Sequence, residues 1–279
     1  MGAREDVLIT GEELRRRLDA GEPIALLDVR WEFGGPDGAE AYLRGHLPGA
    51  VYVSLEEELT DHSVAGRGRH PLPTGRDVQD AARRWGLRTG VPVVVYDDWN
   101  RAGSARAWWV LTAAGIPDVR ILDGGLATWT GELQRGTVTP EPGDVSVTHD
   151  DLYAAARKTV TADDALDDGR VLLDSRPPER YRGEADFTDP AAGHIPGALN
   201  VPSTSVLSDQ GAWLSGSELT RLFRESRVDP GSDVVVYCGS GVTAAITIAG
   251  LATIGVDAAL FPGSWSEWCS DPARPVASG

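Results

Sequence analysis

The stretch "VVVYCGSGVTAA" (234–245) places one of the chain's two cysteines at a corner where chemistry collects. Four residues suited to a buried strand run into Cys238. Gly239, Ser240, Gly241, Val242 and Thr243 follow, and then a run that reads as a helix. In an open parallel sheet, reactive groups gather at the carboxyl ends of the strands. The N–H groups that open a helix have no intrahelical partners and can point at an anion. Gly239 and Gly241 let the backbone curl close around the sulfur, where side chains would block it. Such a cradle favours the thiolate. The implied chemistry is that of a nucleophile whose covalent adduct carries charge that the same cradle can hold.

Free cysteine is also among the most buried residue types, so a core role is the competing reading. That reading fits Cys269, around which nothing forms an anion cradle; at Cys238 the Gly-Ser-Gly loop favours the nucleophile. A phosphatase loop would read Cys-x₅-Arg, its arginine clamping phosphate oxygens. Here the sixth residue after Cys238 is Ala244, which disfavours phosphate chemistry. A tighter, uncharged loop suits a smaller moving group, such as a single sulfur atom. No Cys/His cluster has zinc spacing, and the GxGxxG pattern fails at Ala244. The one lysine, Lys158, makes Schiff-base chemistry a poor fit. No metal and no cofactor are expected.

The elements that must position Cys238 occur twice. "LLDVRWEF" (26–33) resembles "LLDSRPPE" (172–179), and "GHLPGAVYV" (45–53) resembles "GHIPGALNV" (193–201). "VVVYDD" (93–98) resembles "VVVYCG" (234–239), and "LDGGLATW" (122–129) resembles "FPGSWSEW" (261–268). Four blocks in the same order, each displaced by about one domain length, mark a tandem duplication. In each unit a helical pattern (12–20; 162–167) precedes an apolar strand (24–27; 171–173), and a turn and a further strand follow. Then come a polar helix (76–85; 217–226), the most apolar strand (93–96; 234–237) and a helix of small residues (104–114; 243–254). Short apolar strands alternating with helices predict an α/β fold: two tandem domains, each a parallel sheet with helices on both faces. The expected bounds are 1–138 and 156–279. Residues 139–155 join them, within a region where 131–148 is rich in Gly, Pro and Thr and reads as the inter-domain linker. Asp97 stands in the first copy where Cys238 stands in the second. An acid is no soft nucleophile, so the first copy reads as catalytically inactive.

A net charge of −16 argues against nucleic acid and anionic membrane as partners. No apolar run approaches the 18 or more residues of a membrane span. Acids such as Glu5, Asp6, Glu12 and Glu13 in the first 25 residues are unlike a secretory leader, so the expected location is the cytoplasm.

The combination of "GHIPGA", "CGSGVTA" and "DGGLATW/PGSWSEW" resembles the two-domain rhodanese-type sulfurtransferases over essentially the whole chain. The resemblance implies ping-pong sulfur transfer. Cys238 takes a sulfane sulfur from a small anionic donor, becomes a persulfide, and passes the sulfur to a thiol or cyanide, thioredoxin-like proteins being among the thiols. Thiosulfate-preferring members resemble Cys-Arg-Lys-Gly-Val-Thr; the uncharged loop here is similar to the 3-mercaptopyruvate group. Thiosulfate, and a persulfide relay to a protein thiol, are the alternatives. The resemblance makes Ser240 a proton relay working with His70, from "His70-Pro71-Leu72-Pro73", and with Glu56. A solvated acid in "EEE" (56–58) is the competing reading of Glu56. It also makes Arg180 a substrate arginine, beside loop residues Gly239, Gly241, Val242 and Thr243. A second arginine would lie some nine residues after Arg180, but 183–193 contains none. Arg67, Arg69 and Arg182 are candidate substitutes, and ordinary surface arginines are the competing reading for all three. Asp28, Asp174, His46 and His194 recur in both copies, including the one without the cysteine, and so read as structural.

Overall fold

The two Val-Val-Val-Tyr runs are apolar on both faces, so they are stable only when covered on both sides. In the computed structural model, which describes residues 3–36, 38–167, 169–185 and 188–279, both lie inside parallel sheets. The first sheet has the order β1-β5-β4-β2-β3: β1 (Leu8–Ile9), β2 (Ala25–Asp28), β3 (Val51–Tyr52), β4 (Val93–Tyr96) and β5 (Val119–Leu122). The second has the order β7-β6-β8-β9: β6 (Val171–Asp174), β7 (Leu199–Asn200), β8 (Val234–Tyr237) and β9 (Ala259–Leu260). Pairing is parallel throughout, with Asp28 beside Tyr96 and Asp174 beside Tyr237 in matching registers. A single bridge, Thr159 to Leu260, takes the place of β1 in the second sheet. Strand order reverses between β6 and β8, and Cys238 follows β8 at its carboxyl end. That is where a doubly wound sheet opens a crevice.

The small-residue helices, Ala102–Ala113 and Ala244–Thr253, are buried on almost every side. Each packs on its own sheet and against the other helix. Their small residues let the two backbones approach, and one apolar cluster runs through both domains. At Gly103 an added β-carbon would lie 1.7 Å from the Val29 carbonyl oxygen, so only glycine fits beneath that helix. The repeated acids are structural: Asp28 and Asp174 hold Arg30 and Arg176 in buried ion pairs. The repeated histidines stack on Tyr42 and Tyr181 and hydrogen-bond their carbonyl oxygens.

One expectation is corrected. Residues 162–167 form no regular α-helix, only a 3₁₀ turn at Asp164–Leu166. The Thr161 hydroxyl and the Asp164 carboxylate bond each other and each other's backbone N–H, closing a single turn instead. Residues 131–148 run bonded along the first domain. Gln134 pairs with His46, Gly143 donates to the Arg83 carbonyl, Asp144 to that of Leu87 and Thr148 to that of Ala114. The Gly/Pro/Thr composition removed regular structure but left a strap bonded along the first domain. None of the described helices is long and apolar enough to cross a membrane.

Candidate active site

After β8 the chain turns sharply enough for the Gly241 N–H to donate to Cys238 Sγ at 3.2 Å. Gly241 has φ +79°, and a β-carbon there would sit 2.3 Å from the Pro262 carbonyl oxygen, so both conformation and space demand glycine. The turn 261–268 explains its own recurrence, because it braces the loop. Ser264 Oγ accepts from Cys238 N–H at 3.1 Å, Trp265 N–H donates to the Cys238 carbonyl at 3.0 Å, and Ser266 N–H to that of Gly239 at 2.9 Å. In the first copy Leu126 N–H likewise donates to the Asp97 carbonyl. There the Asp97 carboxylate accepts from the N–H groups of Trp99, Arg101 and Ser104. The degenerate cradle thus holds a built-in anion. Cys269 is buried in a separate apolar cluster with Trp265 and Trp268.

The first domain reaches into this loop. The Ser240 hydroxyl lies 2.7 Å from His70 Nδ1, and His70 Nε2 lies 3.2 Å from Glu56 Oε1. Trp31 Nε1–H donates to the same Glu56 oxygen at 2.6 Å, and His62 Nε2 lies 3.0 Å from the other. Glu56 is therefore the hub of the group, its side chain still 44% exposed. Its hydrogen bond from His70, with that from Trp31, outweighs partial burial and holds its carboxyl down at about 2. Burial is the largest influence on His70 and lowers it below the ordinary histidine value, against the opposing pull of Glu56. A neutral imidazole facing an ionised, acceptor-only carboxylate must carry its proton on Nε2. Nδ1 is then the acceptor for the Ser240 hydroxyl. The result is a Ser–His–Glu chain assembled across the domain boundary.

Sequence reasoning missed Arg106, which holds that boundary. Wholly buried in the Ala102–Ala113 helix, it donates to the carbonyls of Leu59 and His70 at 3.1 Å, Pro71 at 3.4 Å and Gly241 at 3.3 Å. Burial lowers it to about 10, so it stays charged at neutral pH. A lone arginine among small apolar residues was the available signal. Arg106→Leu should lower the unfolding free energy by about 1–3 kcal/mol or more, since each stranded buried carbonyl costs on that order. It should also reduce turnover, because the His70 segment and the cysteine loop lose their common tie. An unchanged denaturant midpoint would show that the guanidinium holds neither.

A cavity of about 650 Å³ opens over the loop. Cys238, Gly239, Ser240, Val242, Thr243, Arg180 and Arg69 all line it. Val242 and Cys238 are both almost wholly buried, each 1% exposed. Arg69 is thus no ordinary surface arginine. Arg67 lies over the Tyr153 ring, and Arg182 is exposed and paired with Glu184. Of the segment 183–193, Asp186 and Phe187 lie outside the described residues. Among the described residues no group of histidine, cysteine and acid side chains could hold a metal ion.

Two parallel α/β units with a cysteine-bearing loop at the carboxyl end of one central strand define a tandem rhodanese-like protein. The rhodanese-like domain pattern matches residues 10–132 and 159–271, and the chain belongs to the rhodanese family of sulfurtransferases. It is 61% identical over 282 residues to SseB of Mycobacterium tuberculosis, provisionally named a thiosulfate sulfurtransferase; the match covers 100% of this chain and 99% of that one. It is 36% identical to the 3-mercaptopyruvate sulfurtransferase of Escherichia coli, over 91% of this chain and 92% of that one. The crystal structure of SseA from Escherichia coli matches with a TM-score of 0.80 at 33% identity, covering 93% of this chain and 98% of that one.

Proposed function

We propose that this sulfurtransferase takes its sulfur from 3-mercaptopyruvate, with Cys238 as nucleophile, Ser240, His70 and Glu56 as its proton relay, and Arg180 as an anchor for the donor carboxylate. The observation that carries the choice of donor is the hydrogen-bonded chain Ser240–His70–Glu56. The proton of the Cys238 thiol passes through the Ser240 hydroxyl to His70, whose cationic form faces ionised Glu56. The thiolate attacks the donor sulfur; the new S–S bond forms as the carbon–sulfur bond breaks, and its electron pair leaves as the enolate of pyruvate. The proton returns through Ser240 to the enolate carbon. Gly241 N–H already donates to the sulfur. An acceptor thiolate or cyanide then attacks the outer sulfur and releases Cys238. The acceptor, a thioredoxin-like protein among the candidates, and a cytoplasmic setting belong to the same proposal.

The second reading is thiosulfate as donor, favoured by the name of the 61% identical relative. Its leaving group, sulfite, needs no proton, so the relay would have only the Cys238 thiol proton to take and none to deliver to a leaving group. Measuring kcat/KM for the two donors side by side decides between them. Mercaptopyruvate should be the better substrate, and a preference for thiosulfate would overturn the choice of donor.

A further inference from the structure

A three-carbon donor fills only part of the cavity of about 650 Å³, and one of its walls has no part in the proton relay. That wall begins with the first copy's counterpart of the cysteine loop, the residues that follow Asp97. Asp98, Trp99 and Arg101 line the cavity there, together with Leu207, Asp209 and Gln210 from the second domain. Both pieces are held in place. Trp99 N–H donates to Asp97 Oδ1 at 3.3 Å, and its carbonyl accepts from Arg101 Nη2 at 2.7 Å. Residues 207–213 form a hairpin closed by a Leu207–Trp213 bridge, and Trp213 N–H ties it to Asp123 Oδ1 at 2.8 Å. A β-carbon built on Gly211 would lie 3.6 Å from Arg101 Nε and 3.7 Å from the Trp99 carbonyl oxygen, so the hairpin rests on the loop.

On this fixed frame the Trp99 side chain is left in solvent. At 59% it is the most exposed large apolar side chain among the described residues. Asp98 and Asp209 are exposed on the same wall. Asp98 lies 3.5 Å from Arg30, which Asp28 also holds, whereas Asp209 is in no ion pair among the described residues. The wall's own cation, Arg101, is buried and occupied by Asp97 at 3.0 Å. An exposed indole beside free carboxylates suits a cation, which the ring face attracts through its quadrupole and the carboxylates through their charge.

We propose that this wall is the acceptor subsite, and that the acceptor it takes is a small thiol carrying an ammonium group. This rests on the sulfurtransferase reading and adds the class of acceptor. An anionic donor is drawn to the arginines that line the cavity and a cationic acceptor to Trp99 and Asp209, so the two substrates of one cycle are sorted by sign. The acceptor thiol gives its proton to solvent, and its thiolate attacks the outer sulfur of the Cys238 persulfide. The new S–S bond forms as the old one breaks, the electron pair returns to Cys238 as thiolate, and the acceptor leaves as a persulfide.

The test loads Cys238 with inorganic polysulfide and follows discharge of the persulfide by cysteamine, 2-mercaptoethanol and thioglycolate. These short thiols carry a positive, a neutral and a negative group. Comparing variant with wild type for one thiol at a time cancels that thiol's intrinsic reactivity. Trp99→Ala should slow cysteamine on the order of 3- to 30-fold, the range of a cation on an indole face, and change 2-mercaptoethanol by less than about twofold. Asp209→Asn should slow cysteamine by about two- to fivefold, as for an exposed charge pair, and should not slow thioglycolate. Because the Trp99 side chain is exposed, the denaturant midpoint of Trp99→Ala should match that of wild type. A wild-type rate with cysteamine in Trp99→Ala, or equal losses with all three thiols, would overturn the assignment. A wild-type persulfide that none of the thiols discharges would instead overturn the sulfurtransferase reading.

Discussion

Cys238→Ser is expected to abolish sulfur transfer from either donor, with a loss on the order of 10⁴-fold or more, as for other enzymes stripped of their nucleophile. A serine oxygen is neither soft nor ionised at neutral pH, so it can form no S–S bond and leaves the cradle nothing to stabilise. The substitution changes one atom in a loop held by Ser264, Trp265 and Ser266, and the fold should survive it. Cys269→Ser should leave turnover nearly intact, because Cys269 sits in the apolar cluster with Trp265 and Trp268, away from the cradle. Turnover followed as pyruvate release and as thiocyanate formation from cyanide checks both variants. Activity in Cys238→Ser, with loss in Cys269→Ser, would reverse the assignment.

The second large effect separates the donors. His70→Ala should lower kcat/KM for mercaptopyruvate by about 10²- to 10⁴-fold, the range of general acid–base contributions, and Ser240→Ala should do the same. Both should cost less with thiosulfate, where the relay only takes the Cys238 thiol proton and sulfite departs without one. The pH dependence follows from His70. Its neutral form takes the proton, and burial lowers it below the usual histidine value. Activity with mercaptopyruvate should therefore hold as pH falls through about 6.5, the ordinary histidine value, and drop only below it. Glu56 raises His70, so Glu56→Gln should move that acidic limb to still lower pH while reducing the plateau. Glu56 itself, held at about 2, stays ionised throughout. Equal losses with both donors would mean that these residues deliver no proton to the enolate.

The parts of the site that lie on one loop were legible in the sequence, and the parts that need the whole fold were not. Cys238 between an apolar strand and a small-residue helix is a local pattern, and the repeated blocks gave the tandem α/β plan with both Val-Val-Val-Tyr strands in their observed places. Glu56 and His70 came from resemblance, because no spacing rule brings residues 56 and 70 to residue 240. Arg69 was one of three candidate arginines that the sequence could not separate, because its partners lie far along the chain: Asp189, 120 positions away, and Ser266, 197 positions away. Trp31, whose indole N–H fixes Glu56, lay inside a repeated block that was read only as strand and turn. The connector 131–148 shows the opposite limit: composition reports the absence of regular hydrogen-bond ladders, not the absence of hydrogen bonds.

The central claim is that Cys238 itself carries sulfur taken from mercaptopyruvate. The most direct measurement incubates the protein with mercaptopyruvate and no acceptor, then reads the intact mass, locates the modified peptide and counts the pyruvate released. The expected result is one added sulfur atom per chain, placed on Cys238 and absent from Cys269, with one pyruvate released for each sulfur gained. Pyruvate release with Cys238 unmodified, or sulfur found on Cys269 alone, would contradict the account.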